Sequence, residues 1–362
     1  MIQKKSINIY FAASPLQLIC IKEYIIQNNI KEYDLILFLR DTKTLDNDNA
    51  LKQMFLTLNK LNFKKYQIFW IANIKLIRFL FEILLIIKLK FKGINNNLNF
   101  IFFDFRNIFL QSLRRHFRGS SFTLVDDGFY TYVAQEIYMK RDIYLPVNNL
   151  KSFSGKIAKF LYFGSSYEKI KKTSFKLFTI YADEIKNNNA EINNLSFLKS
   201  KAIESKSKIS NKLVFFTGTG MVERGAMKLE QELLLLKSAD KYWREQEKTM
   251  YYVGKRSTSR RKLDIFEQND IKTLKFDMPL EIILSERGQI PGHIMTLGST
   301  LQKSLSLIFD NKIKFYFVNI SNFFLDQEAH DLKIKTDEVD KFADSYFSSS
   351  SNIKIINLKD FK

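Results

Sequence analysis

The sequence predicts an α/β protein of two doubly wound domains, each a mostly parallel sheet covered by helices. Three observations predict it. Short runs rich in Ile, Phe, Val and Leu alternate with helix-length periodic segments through the first half of the 362-residue chain. The composition then turns to Asn, Ser, Lys and Glu over 186–212, and a second alternating series follows. Alternation of this kind argues for parallel strands buried on both faces.

In the first series the strand candidates are Ile7 to Ala12, Leu35 to Leu39, Tyr66 to Ile71, Leu98 to Phe103 and Phe122 to Val125. The intervening helices are Pro15 to Ile26, Ala50 to Leu61, Lys75 to Lys90 and Asn107 to Phe117, the first opening on a proline where a missing N–H costs little. The second series reads as strands Leu213 to Phe216, Thr249 to Val253, Thr273 to Phe276, His293 to Leu297 and Ile313 to Val318. Its helices are Val222 to Lys237, Pro279 to Glu286 and one from Thr300. The expected organisation is a domain over 1–190, a linker over 191–212, a domain over 213–345 and a C-terminal tail over 346–362. Two such domains facing each other would hold a ligand in the cleft between the carboxyl ends of their strands.

A formal charge of +19 implies anionic partners: nucleotide, nucleic acid, acidic glycan or lipid headgroups. The single cysteine, Cys20, excludes an internal disulfide and fits a reducing cytoplasm. The N-terminal "MIQKKSINIYFAASPLQL" superficially resembles a signal peptide, but its apolar run carries Asn8 and moves directly into a helical pattern. The most apolar segment, Ile71 to Lys90, is interrupted by Lys75, Arg78, Glu82 and Lys88, whereas a spanning helix needs about 20 largely uncharged residues. It reads as a core helix or as one lying at a membrane surface.

"TLVDDGFYTY" sets Asp126 and Asp127 side by side after a strand and before Gly128. The plain reading is a strand-ending turn; the functional one is a general base at the rim of a sheet. "FFTGTGMVERG" carries Gly218, Gly220 and Gly225 between strand and helix, where backbone N–H groups can approach a phosphate or the chain simply makes a tight turn, although Glu223 stands where a dinucleotide fingerprint needs its third glycine. "YYVGKRSTSRRK" fails as a P-loop, yet its five basic residues from Lys255 to Lys262 suit an anionic ligand or a solvated basic loop. "GST" at Gly298 to Thr300 offers two hydroxyls and helix N-terminal amides, or simply an N-cap. No metal site is expected: Asp46 and Asp48 lack the rest of a calcium loop, and His116, His293 and His330 are scattered.

Four pieces in this order resemble the bacterial sialyltransferases and polysialyltransferases of the two-domain GT-B type. They are the first strand into "ASPLQL", "DDG" at Asp126 to Gly128, "FTGTGMVERGAMKLEQEL", and "FDMPLEI" followed by "STL" at Ser299, together spanning residues about 7 to 305. The resemblance implies that the first acid of the pair, Asp126, is the general base, with Asp127 beside it. Ser299 and Thr300 would hold the donor phosphate, with Gly218, Thr219, Gly220 and Glu281 on the donor side and Ser14 and Gln17 on the acceptor side. The family's Tyr-x-x-His-(Pro/Arg/Lys)-Arg motif corresponds to "YYVGKR", with Gly254 at the histidine position and Lys255 and Arg256 as substitute cations.

The function implied is inverting, metal-independent transfer of sialic acid, or a related nonulosonic acid, from a CMP-activated co-substrate to a glycan acceptor. No resident cofactor is expected. The setting implied is capsule or lipooligosaccharide synthesis, cytoplasmic or peripheral at the inner membrane, with a lipid-linked acceptor among the possibilities and no nucleic-acid partner. A GT-B transferase of another nucleotide sugar, such as a hexose or Kdo donor, and a non-enzymatic binder of anionic polymers are the alternatives.

Overall fold

The computed structural model describes residues 5–40, 45–71, 75–185, 188–218, 220–223, 225, 227–297, 299–310, 312–319 and 353–357. The chain divides into two compact units, Met1–Asn194 and Leu195–Lys362.

The first unit runs β1 (Lys5–Ala12), α1 (Pro15–Gln27), β2 (Tyr33–Arg40), α2 (Leu45–Lys60), β3 (Tyr66–Ile71), α3 (Lys75–Gly93), β4 (Asn96–Phe102), α4 (Ile108–His116), β5 (Ser121–Val125) and α5 (Tyr130–Ile137). It continues with α6 (Phe153–Phe163), α7 (Tyr167–Lys172), β6 (Lys176–Thr179) and β7 (Ala190–Ile192). Its seven strands are ordered β3-β2-β1-β4-β5-β6-β7, all parallel. The order reverses direction between β1 and β4, so this sheet has one topological switch point. Ile9 to Ala12 at the end of β1 are fully buried, as expected of a central strand covered on both faces. Phe11 meets Phe38 of β2 and Phe100 of β4.

The second unit runs α8 (Ser196–Glu204), β8 (Lys208–Thr217), α9 (Leu229–Arg244), β9 (Thr249–Gly254), α10 (Arg260–Glu267), β10 (Thr273–Lys275) and α11 (Leu280–Glu286). It ends with β11 (Gln289–Thr296), α12 (Leu301–Ile308), β12 (Lys314–Asn319) and β13 (Ile353–Asn357). The six-stranded sheet, β10-β9-β8-β11-β12-β13, is again parallel and reverses between β8 and β11. Trp243 of α9 anchors the core over Val214, Met295 and Tyr316. His293 packs at a tilt against Trp243 with Nδ1 3.0 Å from the Tyr316 hydroxyl, and burial pushes its pKa down to about 4, so it is a neutral core residue.

Most expected strands and helices form near where the periodicity places them, but α2 starts earlier, at Leu45, and α5, α6, α7 and β6 occupy 130–179, where no element was expected. Four other departures have a local reason or form. The stretch 191–212, expected as linker, carries the end of β7, all of α8 and the first half of β8. The helix expected from Val222 starts at Leu229, because Gly220 and Gly225 sit at φ +70° and +72° and keep the backbone out of a right-handed helix. The basic run after β9 is not a solvated loop throughout: Ser259 caps α10, accepting from the Lys262 N–H, and Lys262 is buried. Within the stretch expected as a C-terminal tail, the β-branched run Ile353–Asn357 pairs along the open edge of β12.

Candidate active site

In the first unit the candidate residues converge at the carboxyl ends of β1, β4, β5 and β6, four neighbours in the sheet. After β1, Ser14 caps α1 through its Oγ, and Gln17 in the first turn is buried. Gln17 Oε1 accepts from the Ala13 N–H at 2.7 Å, which fixes the amide so that Nε2 donates to Asp127 Oδ1 at 2.8 Å. After β4, Asp104 takes a left-handed conformation and accepts from both the backbone N–H and Nε of Arg106. Arg106 reaches on to Asp127 Oδ2 at 3.1 Å and lies over the Tyr130 ring at 4.1 Å.

The two adjacent carboxylates have different surroundings. Asp126 is 1% exposed; its Oδ1 accepts from Thr179 Oγ1 at 2.6 Å and its Oδ2 from the Ile180 N–H at 2.8 Å. It ties the end of β5 to the end of β6, and burial pushes its pKa up to about 7 against those hydrogen bonds. The Asp127 side chain is 22% exposed and keeps an edge toward solvent. Burial and the neighbouring Asp104 raise its pKa, while Gln17 and Arg106 pull the other way. Gly128, at φ +63°, turns the chain so that the Asp127 N–H bonds Thr131 Oγ1 and α5 begins two residues on.

In the second unit the candidate residues lie at the carboxyl ends of β8, β9 and β11. Thr217 of β8 is paired with Val253 of β9 on one side and Thr296 of β11 on the other, so the loops that follow start side by side. Gly218 is required by packing: a Cβ there would stand 2.4 Å from the Tyr252 hydroxyl. That hydroxyl is held, donating to Glu232 Oε1 at 3.1 Å. Gly218→Ala is therefore expected to destabilise the fold by about 1–3 kcal/mol, read as a lower urea midpoint. Gly220 is buried at φ +70°, and a Cβ there would meet Ser257 Oγ at 3.6 Å, Glu223 Oε2 at 3.7 Å and Lys255 Cδ at 3.8 Å. Lys255 and Arg256 are exposed just past β9, and Thr219 lies outside the described residues.

Beneath this loop Lys262 is buried between Glu223 at 3.1 Å and Glu232 at 2.6 Å. Burial pushes both glutamates up; Glu232 stays above the usual range, whereas its own backbone and Lys262 hold Glu223 below it. The departure from the dinucleotide fingerprint thus has a structural reason, since Glu223 is a partner of Lys262. A Cβ at Gly254 would meet Thr258 at 3.3 Å and Leu263 at 3.4 Å, so a side chain there would press into α10 and its cap.

Ser299 Oγ accepts from the Leu301 N–H, while the N-cap position of α12, where Ser299 was the expected candidate, is held by Thr300. Glu281 is buried and accepts from Ser304 Oγ at 2.9 Å, and burial raises its pKa. It ties α11 to α12 and does not present its carboxylate to solvent. Gln302, buried in the first turn of α12, has no protein partner for either amide atom. Among the described residues no group of three His, Cys, Asp or Glu side chains is placed to hold a metal ion. His330 lies outside the described residues.

Sequence reasoning missed Asp104, Arg106, Thr179 and the Glu223–Lys262–Glu232 chain. The signal for the first two was available in "FFDFRN", where a carboxylate and a cation directly follow a strand.

No protein-family model matches the chain, and no characterised protein matches it in sequence. Solved structures do match in shape. One is a Listeria monocytogenes protein assigned as a UDP-N-acetylglucosamine 2-epimerase, at 10% identity and a TM-score of 0.50, with 97% of this chain and 92% of that one covered. The fold is GT-B. A glycosyltransferase from Rickettsia africae aligns at 12% identity and a TM-score of 0.43, covering 94% and 89% of the two chains. LpCGTa in complex with UDP aligns at 7% identity and a TM-score of 0.41, covering 96% of each. At these identities the likeness concerns the GT-B fold alone.

Proposed function

We propose that the chain is an inverting, metal-independent glycosyltransferase that moves sialic acid, or a related nonulosonic acid, from a CMP-activated donor to a glycan acceptor. The observation that carries this reading is Asp127, a part-exposed carboxylate at the sheet's carboxyl edge, oriented by Gln17 and Arg106. The resemblance gives the base role to the first acid, Asp126. With both Asp126 oxygens bonded inside the protein, the role falls to Asp127, and Asp126 becomes the residue that positions it.

In the proposed step the acceptor hydroxyl gives its proton to Asp127 as its oxygen attacks the anomeric carbon. The bond from that carbon to the phosphate oxygen breaks, and the nucleotide leaves with the electron pair. Charge growing on the phosphate calls for fixed positive charge and helix amides, which the second unit carries in Lys255, Arg256 and the α12 N-terminus with its Ser299 and Thr300 hydroxyls. The unpaired amide of Gln302 supports a polar ligand near that helix start. Fixed cations and helix amides would replace the family's histidine, which the packing around Gly254 disfavours. No resident cofactor is needed. Acceptors of the capsule or lipooligosaccharide kind, made on the cytoplasmic side, suit a chain of charge +19.

Gly254 also favours one other reading, transfer from a different nucleotide sugar such as a hexose or Kdo donor. Release of free nucleotide from CMP- and UDP-linked sugars, with candidate acceptors and with or without EDTA, tests both. Turnover of CMP-nonulosonates alone, unaffected by EDTA, is the expected result. Turnover of another nucleotide sugar alone would replace the donor, and turnover of none would leave a binder of anionic polymers.

A further inference from the structure

Helix α3 carries apolar residues on two opposite sides. Leu85 and Leu89, together with Glu82, form its buried side. The other side exposes Ile77, Leu80, Leu84, Ile87 and Phe91, a stripe at alternating three- and four-residue spacing, with Leu84 at 59% and Phe91 at 70% exposure. Helix α6 repeats the pattern: Phe153 is 80% and Phe160 74% exposed, with Ile157 and Leu161 on the same face. The two helices are joined where the Tyr162 hydroxyl donates to Glu82 and the Phe79 and Tyr162 rings meet at 5.6 Å. Two neighbouring helices thus leave solvent-facing apolar stripes that the core does not use, which a soluble surface rarely does without a partner.

The charges bordering these stripes identify the partner. The only acidic residue in either helix sequence is Glu82, which is buried and paired with Arg78. Lys88 and Lys90 are exposed on α3, as is Lys156 on α6, with Lys151 exposed just ahead of it. A second copy of the chain would bring like charges together across such a face. An anionic bilayer surface complements it, taking the Leu, Ile and Phe side chains at the acyl boundary and the lysines at the phosphates. Among the described residues no helix is long and apolar enough to cross a membrane, so the contact lies along the surface.

We infer that the α3–α6 face docks the first unit on an anionic phospholipid membrane. The surface is separate from the carboxyl-edge residues and stands whether or not the proposed transfer is correct.

The test is flotation of the purified full chain with vesicles of phosphatidylglycerol and phosphatidylcholine, or of phosphatidylcholine alone, at low and high salt. Binding to the anionic vesicles, weakened by salt, is expected. The double variant Leu84→Glu, Phe160→Glu should bind at least about tenfold more weakly. Both side chains are exposed, so circular dichroism and the urea midpoint should match the wild type. A second double variant, Lys88→Glu with Lys156→Glu, should lose the preference for anionic over neutral vesicles. Absence of binding by the wild type, or equal binding by the Leu84/Phe160 variant, would overturn the inference. So would a concentration-dependent dimer in sedimentation that the same variant dissolves, because the face would then be a contact between copies.

Discussion

Asp127→Asn is expected to lower turnover of the nucleotide-sugar donor about 10²- to 10⁴-fold while leaving the fold intact, the range a positioned general base contributes. Asparagine still accepts from Gln17 or Arg106 but takes no proton from the acceptor hydroxyl. Only ionised Asp127 acts as a base, so wild-type kcat/KM should rise with pH and level off above its pKa. Burial and Asp104 place that limb above the ordinary carboxylate range. Arg106→Gln removes one of the groups favouring the ionised form and should move the limb to still higher pH. If Asp126→Asn abolishes turnover and Asp127→Asn does not, the base is Asp126, as the family resemblance has it. The pair of variants then keeps the reaction and exchanges the roles.

The second large effect is on stability. The Asp126 pKa rises from 3.8 to about 7 on folding, with burial as the main cause. Between those values the folded protein holds a proton that the unfolded chain has released, so the unfolding free energy falls as pH rises through the window. The contribution is present in full below about pH 4 and lost above about pH 7, some 4 kcal/mol in all. Asp126→Asn should remove it. The amide oxygen can accept from the Ile180 N–H while its NH₂ donates to Thr179 Oγ1, since a hydroxyl serves in either direction. Urea denaturation at pH 5 and pH 8 should therefore show a smaller loss of stability for Asp126→Asn than for the wild type. Equal losses in the two proteins would show that Asp126 does not titrate in this window.

Alternation along the sequence determined the fold class, because the period of apolar residues reports which faces of each strand and helix are buried. β1, β3, α1 and β9 begin or end within a residue or two of where that pattern puts them. The Asp126–Asp127 turn and the glycines after β8 were legible for a similar reason: strand ends followed by Asp or Gly mark the rim of a parallel sheet, where ligands bind.

What the sequence left open depended on contacts between distant segments. Neither carboxylate of the pair differs from the other in one dimension. Thr179 and Ile180, more than 50 residues on, bury one, while Gln17 and Arg106, from the loops after β1 and β4, hold the other at the surface. The Lys255–Lys262 run read as uniformly basic, yet only packing reveals that Lys262 points inward to two glutamates. The α3 segment read as a core helix ahead of a membrane-surface one, and the structure gives it a buried side and an exposed apolar side at once. Periodicity records that a residue is apolar. Which neighbour covers it, and which charge a buried carboxylate meets, is decided by strand order and loop placement, and these exist only once the chain has folded.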